Sequence, residues 1–202
     1  PQAAYLDFTD RWLAAVARVL SPMGSLFVQI ADEWAGHVQV RLDALGLHWR
    51  NTIIWQYGFG PHQSRKFGRD HQQVLYYAAD RRRFTFNADA VRVLSARQTR
   101  YRDRRANAKG RVPGDVWPFP RVCGTFRERR GHCCQTPEDL LERVTLMASS
   151  PGELVLDPFA GTGTALAVAR RLGRRFLGVE VCEATAELAR RRLEKMMPAA
   201  SA

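Results

Sequence analysis

The chain has 202 residues, 46% of them hydrophobic, enough for one domain with a proper core and room for an insertion. Its formal net charge is +11. No apolar run approaches the ~20 residues of a membrane span and no signal-peptide pattern is present, so a helical membrane protein is excluded and a cytoplasmic setting is expected.

Residues 5–20 (YLDFTDRWLAAVARVL) place Leu6, Trp12, Leu13, Val16, Val19 and Leu20 near helical spacing, and Ser21-Pro22-Met23-Gly24 ends that helix. SLFVQIA (25–31) reads as a buried strand and 33–45 as a helix closed by Gly46. Asp32 and Glu33 stand at the strand's C-terminal end, where ligands bind in open α/β sheets. Helix capping by Asp32 is the other reading. HWRNTIIWQY (48–57) is a strand rich in β-branched and aromatic residues, with Trp55 read as core. GFGPHQSRKFGRDH (58–71) is a polar, Gly-rich loop, and QQVLYYAA (72–79) a further strand. No helix separates these two strands, so one of them is expected to run antiparallel.

Residues 81–131 hold fifteen Lys and Arg against four Asp and Glu, so the rest of the chain is neutral on balance. Phe84, Phe86, Tyr101, Trp117, Phe119 and Phe126 are interleaved with the arginines. That mixture suits phosphate contact and base stacking. A solvated linker is the bland alternative. Periodicity in this stretch is poor, and no element is assigned to it.

TPEDLLERVTLMAS (136–149) is a strong helix, with Thr136 expected as its N-cap, Pro137 at the first position and Asp139 in a capping-box-like place. LVLDPFAGTGTALAVARRLGRRFLGVE (154–180) sits within a strand over 153–157, a glycine-rich turn, a helix over about 163–172 and a strand over 175–179. A last helix spans 183–196. Strands alternating with helices argue for an α/β fold with a largely parallel sheet.

Cys123, Cys133, Cys134 and Cys182 lack the paired CxxC spacing of a zinc site. The cluster Cys123, His132, Cys133 and Cys134 invites a metal reading, but adjacent cysteines rarely share one ion with good geometry. Reduced thiols and no metal are expected, with His132 structural.

In DPFAGTGT, Gly161 and Gly163 allow positive φ and close backbone approach to a ligand. The turn opens onto a helix N-terminus, whose free N–H groups favour negative or polar ligand groups. Glu180 follows 23 residues after Asp157, at the end of the next strand. An acid there accepts hydrogen bonds from ribose hydroxyls. The turn is neither a full GxGxxG nor a Walker loop. A dinucleotide, S-adenosylmethionine and a tight turn without ligand are the three readings.

Asp157-Pro158-Phe159-Ala160-Gly161-Thr162-Gly163-Thr164 resembles the S-adenosylmethionine motif of amino-group DNA methyltransferases, which methylate adenine at N6 or cytosine at N4. NAKGRVPGDVWPFP (107–120), GHCCQTPEDLLERV (131–144) and RRFLGVE (174–180) resemble further segments of that family. The position of the cofactor motif near the C-terminus is similar to the permuted subgroup, in which the catalytic half comes first. The resemblance covers nearly the whole chain. It implies a Rossmann-like methyltransferase fold, mostly parallel with one antiparallel strand and incomplete at the N-terminus. Residues 1–202 would form a single methyltransferase domain, with 80–131 a basic insertion contacting DNA and 132–202 the cofactor-binding part.

The residues assigned to S-adenosylmethionine are Asp157, Pro158, Phe159, Gly161, Thr162, Gly163, Thr164, Glu180 and Thr136. Asp157 faces the cofactor's ammonium or caps the turn 159–162. Phe159 packs on the adenosine or in the core. Thr136 stands where the family carries a lysine for the methionine carboxylate. Duplex DNA is the expected partner, contacted by Arg65, Lys66, Arg69, Arg104, Arg105, Lys109 and Arg111, with no membrane role.

No Pro-Pro pair occurs in the chain. The family's Pro-Pro-aromatic motif holds the amine of a flipped base toward the methyl donor. It is expected upstream of Pro1, so the catalytic residues are unknown and this chain alone is expected to be inactive or nearly so. An inactive DNA-binding homologue is the alternative. A nicotinamide-dependent oxidoreductase would instead bind NADH. The source is expected to be bacterial, archaeal or phage.

Overall fold

The computed structural model describes residues 2–60, 62–124, 128–130 and 134–196, which fall into two units. The first holds residues 1–85 and 113–118, the second 86–112 and 119–202. The expected insertion over 80–131 is thus shared between them.

In the first unit, helix α1 (Gln2–Val19) buries Thr9, Leu13 and Val16, a stripe at helical spacing. Strand β1 (Ser25–Ile30) leads into helix α2 (Asp32–Ala44), which buries Ala35, Val38 and Leu42. Strands β2 (His48–Gln56) and β3 (His71–Ala78) follow. The sheet order is β1-β3-β2-β4, with β4 (Val116–Pro118) drawn from the basic stretch. β3 pairs antiparallel with both β1 and β2, whereas β4 runs parallel to β2. Three strands therefore share one direction, and the reversed β3 lies between two of them. The helix-free connection from β2 to β3 is the reason, since a parallel pair would need a longer crossover. Leu13, Val28, Val38, Leu42, Leu75 and Tyr77 form the core, so α1 and α2 cover the same face of the sheet. Trp55 is buried, as read from the sequence.

In the second unit, a 3-10 turn (Ala88–Val91) and helix α3 (Ala96–Thr99) fall inside the stretch to which the sequence assigns no element. Ser95 caps α3 in a complete capping box with Gln98. The Ser-Ala-Arg-Gln spacing is that of a capping box and is legible in the sequence. Helix α4 (Glu138–Ala148) starts two residues later than expected, and Thr136 is not its N-cap. Pro137 takes that position in an extended conformation (φ −66°, ψ 143°), and the Glu128 carboxylate accepts from the Glu138 N–H at 3.0 Å. A tertiary contact takes the role expected of the threonine. Strand β5 (Leu154–Asp157), helix α5 (Thr164–Arg171), strand β6 (Arg175–Gly178) and helix α6 (Glu183–Glu194) complete the unit, close to their expected bounds. β5 and β6 are parallel, as a βαβ unit requires.

Cys123, Cys134 and Cys182 are free thiols. Phe126, His132 and Cys133 lie outside the described residues. Among the described residues, no helix is long and apolar enough to cross a membrane.

Candidate cofactor site and basic surfaces

β5 and β6 pair in register from Leu154 with Arg175 to Asp157 with Gly178, which brings the turn 158–163 beside the end of β6. Ala160 N–H donates to Val179 O at 2.8 Å, and Val179 N–H to Asp157 O at 2.9 Å. The turn is sewn to the next strand before any side chain takes part.

The three glycines of this region have different reasons to be glycine. Gly161 has φ +52°, and a Cβ on it would meet only the Phe159 carbonyl, at 3.9 Å. Gly163, the N-cap of α5, has φ +72°, and a Cβ there would lie 2.9 Å from the Ala189 Cβ of α6. The close approach expected of Gly163 toward a ligand is made toward a helix instead. Gly178, absent from the sequence-based assignments, lies on β6 beneath α5, where a Cβ would run into Leu166.

Glu180 binds the turn directly. Its Oε2 accepts from the Gly161 N–H at 2.9 Å, and its Oε1 from the Cys182 N–H at 2.9 Å. An ionised carboxylate offers about four acceptor positions, so each oxygen can accept a hydroxyl donor beside its backbone bond. Asp157 lies close by, its Oδ1 accepting from the Phe159 N–H at 3.0 Å. The turn-capping reading of Asp157 is thus realised. Burial raises its pKa, the Phe159 bond opposes that rise, and the Glu180 charge adds to it. Such a carboxylate gains from an approaching cation. Pro158 is half-buried, and Phe159 is 52% exposed, so its ring is not a core residue.

Thr162 and Thr164 are buried. Arg192 of α6, only 6% exposed, donates from Nη1 to Thr164 Oγ1 at 3.0 Å and to the Thr162 carbonyl at 3.4 Å. Its Nη2 pairs with Glu138 of α4. These threonines, expected at the cofactor, bond to α6 behind the turn. Arg192 escapes a reading by sequence because an arginine in a strongly basic chain reads as surface. Thr136 is half-buried just ahead of α4.

The basic residues assigned to DNA divide into spent and available charges. Lys109 pairs with Asp89 at 2.6 Å, Arg105 with Asp103 at 3.1 Å, and Arg69 with Glu33. Arg92 also reaches Asp89, and Arg97 reaches Asp103. Hydrogen bonds from Lys109 and Arg92 hold the Asp89 pKa at about 2, and those from Arg105 and Arg97 hold Asp103 well below the carboxylate range. Arg65 and Lys66 in the first unit, and Arg104 and Arg111 in the second, are exposed and form no ion pair among the described residues. In the first unit, His71 stands between Asp32 (3.4 Å) and Asp70 (3.2 Å), and Gln73 donates to Asp32 at 3.3 Å. Asp32 is the first residue of α2 and does not cap it. Ala31 holds the N-cap position.

Residues 1–191 match the DNA methylase family N6_N4_Mtase. The type II methyltransferase M.HpaI of Haemophilus parainfluenzae is 34% identical over 191 residues, covering 94% of this chain and 60% of that protein. The DNA adenine methyltransferase YhdJ of Escherichia coli (strain K12) is 34% identical over 198 residues, covering 94% of this chain and 67% of that protein. The chain thus spans roughly two thirds or less of these relatives. Among solved structures, the DNA modification methylase TTHA0409 of Thermus thermophilus, complexed with S-adenosyl-L-methionine, is 29% identical, with a TM-score of 0.66 over 98% of this chain and 80% of that one. The α/β elements of this chain are therefore those of the methyltransferase fold anticipated from DPFAGTGT, and the chain belongs to the DNA methylase family of N6 and N4 amino-methyltransferases.

Proposed function

We propose that this chain binds S-adenosylmethionine at the turn 158–163 and serves a DNA methyltransferase acting on N6 of adenine or N4 of cytosine. The observation that carries the reading is Glu180. Its carboxylate is fixed by two backbone N–H groups, one of them on the glycine turn, at the place where a ribose is expected.

The residues present fit the cofactor. The Glu180 oxygens can accept from ribose hydroxyls while they hold the backbone. The side of Gly161 where a Cβ would stand is open. The half-exposed Phe159 ring offers an apolar face to an adenine, and the buried Asp157 carboxylate suits an ammonium. When bound, S-adenosylmethionine supplies a methyl group activated on a sulfonium. Glu180 would orient the ribose, and Asp157 the amino acid end. Thr162, Thr164 and Arg192 would act from behind, holding the turn against α6.

The exposed cations Arg65, Lys66, Arg104 and Arg111 would contact the phosphates of duplex DNA. No Pro-Pro pair is present to hold the target amine, so we assign the binding steps to this chain by itself and not the transfer. The bacterial sources of the relatives support a cytoplasmic setting.

A calorimetric titration with S-adenosylmethionine, with NADH as control, tests the reading. Binding of S-adenosylmethionine alone is expected. Binding of NADH instead, or of neither by the folded chain, would overturn it.

A further inference from the structure

The loop 58–70 between β2 and β3 has a fixed base. Tyr57 N–H donates to Asp70 O at 2.9 Å, and the Tyr57 hydroxyl to His71 O at 3.1 Å. Gly60 comes so close to Arg69 that a Cβ on it would run into the Arg69 carbonyl, so the two sides of the loop are pinched together. Arg69 is paired with Glu33, and His71 lies against Asp32, which ties the same end to α2. Beyond the pinch stands Arg65-Lys66-Phe67. All three are exposed, and the Phe67 ring is 98% exposed. Residues 58–69 hold two arginines, a lysine and a histidine, and no acid.

Scattered surface hydrophobics are ordinary. A fully exposed aromatic at the tip of a clamped loop, next to two exposed cations, is a more particular arrangement. The cations demand a polyanion, and the ring demands an apolar slot beside it. Duplex DNA offers both, because phosphates flank base steps into which apolar side chains can wedge. A lipid surface offers both in principle. A single ring buries little area, however, and stable surface anchoring takes more than one signal.

We propose that Phe67 is a wedge that enters the base stack of the duplex while Arg65 and Lys66 grip the adjacent phosphates. This rests on the DNA reading above and adds to it a residue, a contact and an energetic role. A wedge must open a base step, so it binds more readily where the step is already open.

The experiment measures binding of the whole chain to two labelled duplexes of one sequence, one intact and one with a single abasic site, and to anionic phosphatidylserine vesicles. The wild-type chain is expected to bind the abasic duplex about tenfold more tightly. Phe67→Ala should bring that ratio to about one, and Phe67→Leu should keep most of it. Arg65→Ala and Lys66→Ala should weaken both duplexes alike. Equal wild-type affinity for the two duplexes, or a preference that survives Phe67→Ala, would overturn the wedge and leave DNA binding intact. A folded chain that binds neither duplex would overturn the wedge and the DNA reading together. Vesicle binding lost in Phe67→Ala, without DNA binding, would assign the loop to a membrane surface instead.

Discussion

Glu180 serves two masters. Its oxygens hold the Gly161 and Cys182 N–H groups, and the same oxygens are the candidate ribose acceptors. Glu180→Ala is expected to lower S-adenosylmethionine affinity by about 1.5–3 kcal/mol, since charge-assisted hydrogen bonds are lost. Calorimetry checks this, and an unchanged affinity would remove the clamp assignment. The glycines separate in the same way. Gly161→Ala meets only the left-handed backbone penalty, about 1–2 kcal/mol. Gly163→Ala meets that penalty and a clash with Ala189 as well, for about 2–5 kcal/mol in total. Urea denaturation of the two variants should show this order, and a reversed order would contradict the packing of α5 on α6.

Between elements, the strongest tie behind the turn is Arg192. It joins α6 to the turn carbonyl, to the first residue of α5 and to Glu138 at the start of α4. Arg171 of α5 reaches the same glutamate at 3.5 Å and Glu142 at 3.1 Å. Arg192→Met would leave Glu138 and the Thr162 carbonyl short of a donor. Full loss of a buried partner costs more, but Glu138 is partly exposed and keeps Arg171, so about 2–3 kcal/mol is expected in denaturant unfolding. Adding Glu138→Met should restore part of it. A loss near zero in the single variant would mean that the pair contributes no net stability.

For the whole molecule, a net charge of +11 overstates what is offered to a polyanion. Asp89 and Asp103 each engage two cations of the basic stretch. Arg104→Ala or Arg111→Ala should reduce the slope of log affinity for DNA against log salt by about 0.9 each. Arg105→Ala and Lys109→Ala should change it much less, because those charges are held by carboxylates. A salt series on the four variants decides the matter. Equal slopes would show that the ion pairs open on binding.

The glycine turn, the glutamate at the end of β6, the βαβ order and the reversed β3 are legible in the amino-acid sequence. Each depends on residues a short way apart, through backbone φ, hydrophobic period or the length of a connection. The capping box of α3 is equally local, and its four-residue spacing is hidden only by the charge around it. Other features depend on partners brought together by folding. Glu128 caps α4 in place of Thr136 from ten residues upstream. Gly163 makes room for Ala189, and Arg192 is buried against a glutamate 54 residues away. The separation of Arg104 and Arg111 from Arg105 and Lys109 is of the same kind. Composition counts charges, but only tertiary structure decides which are already neutralised, because pairing is set by distance in space and not along the chain.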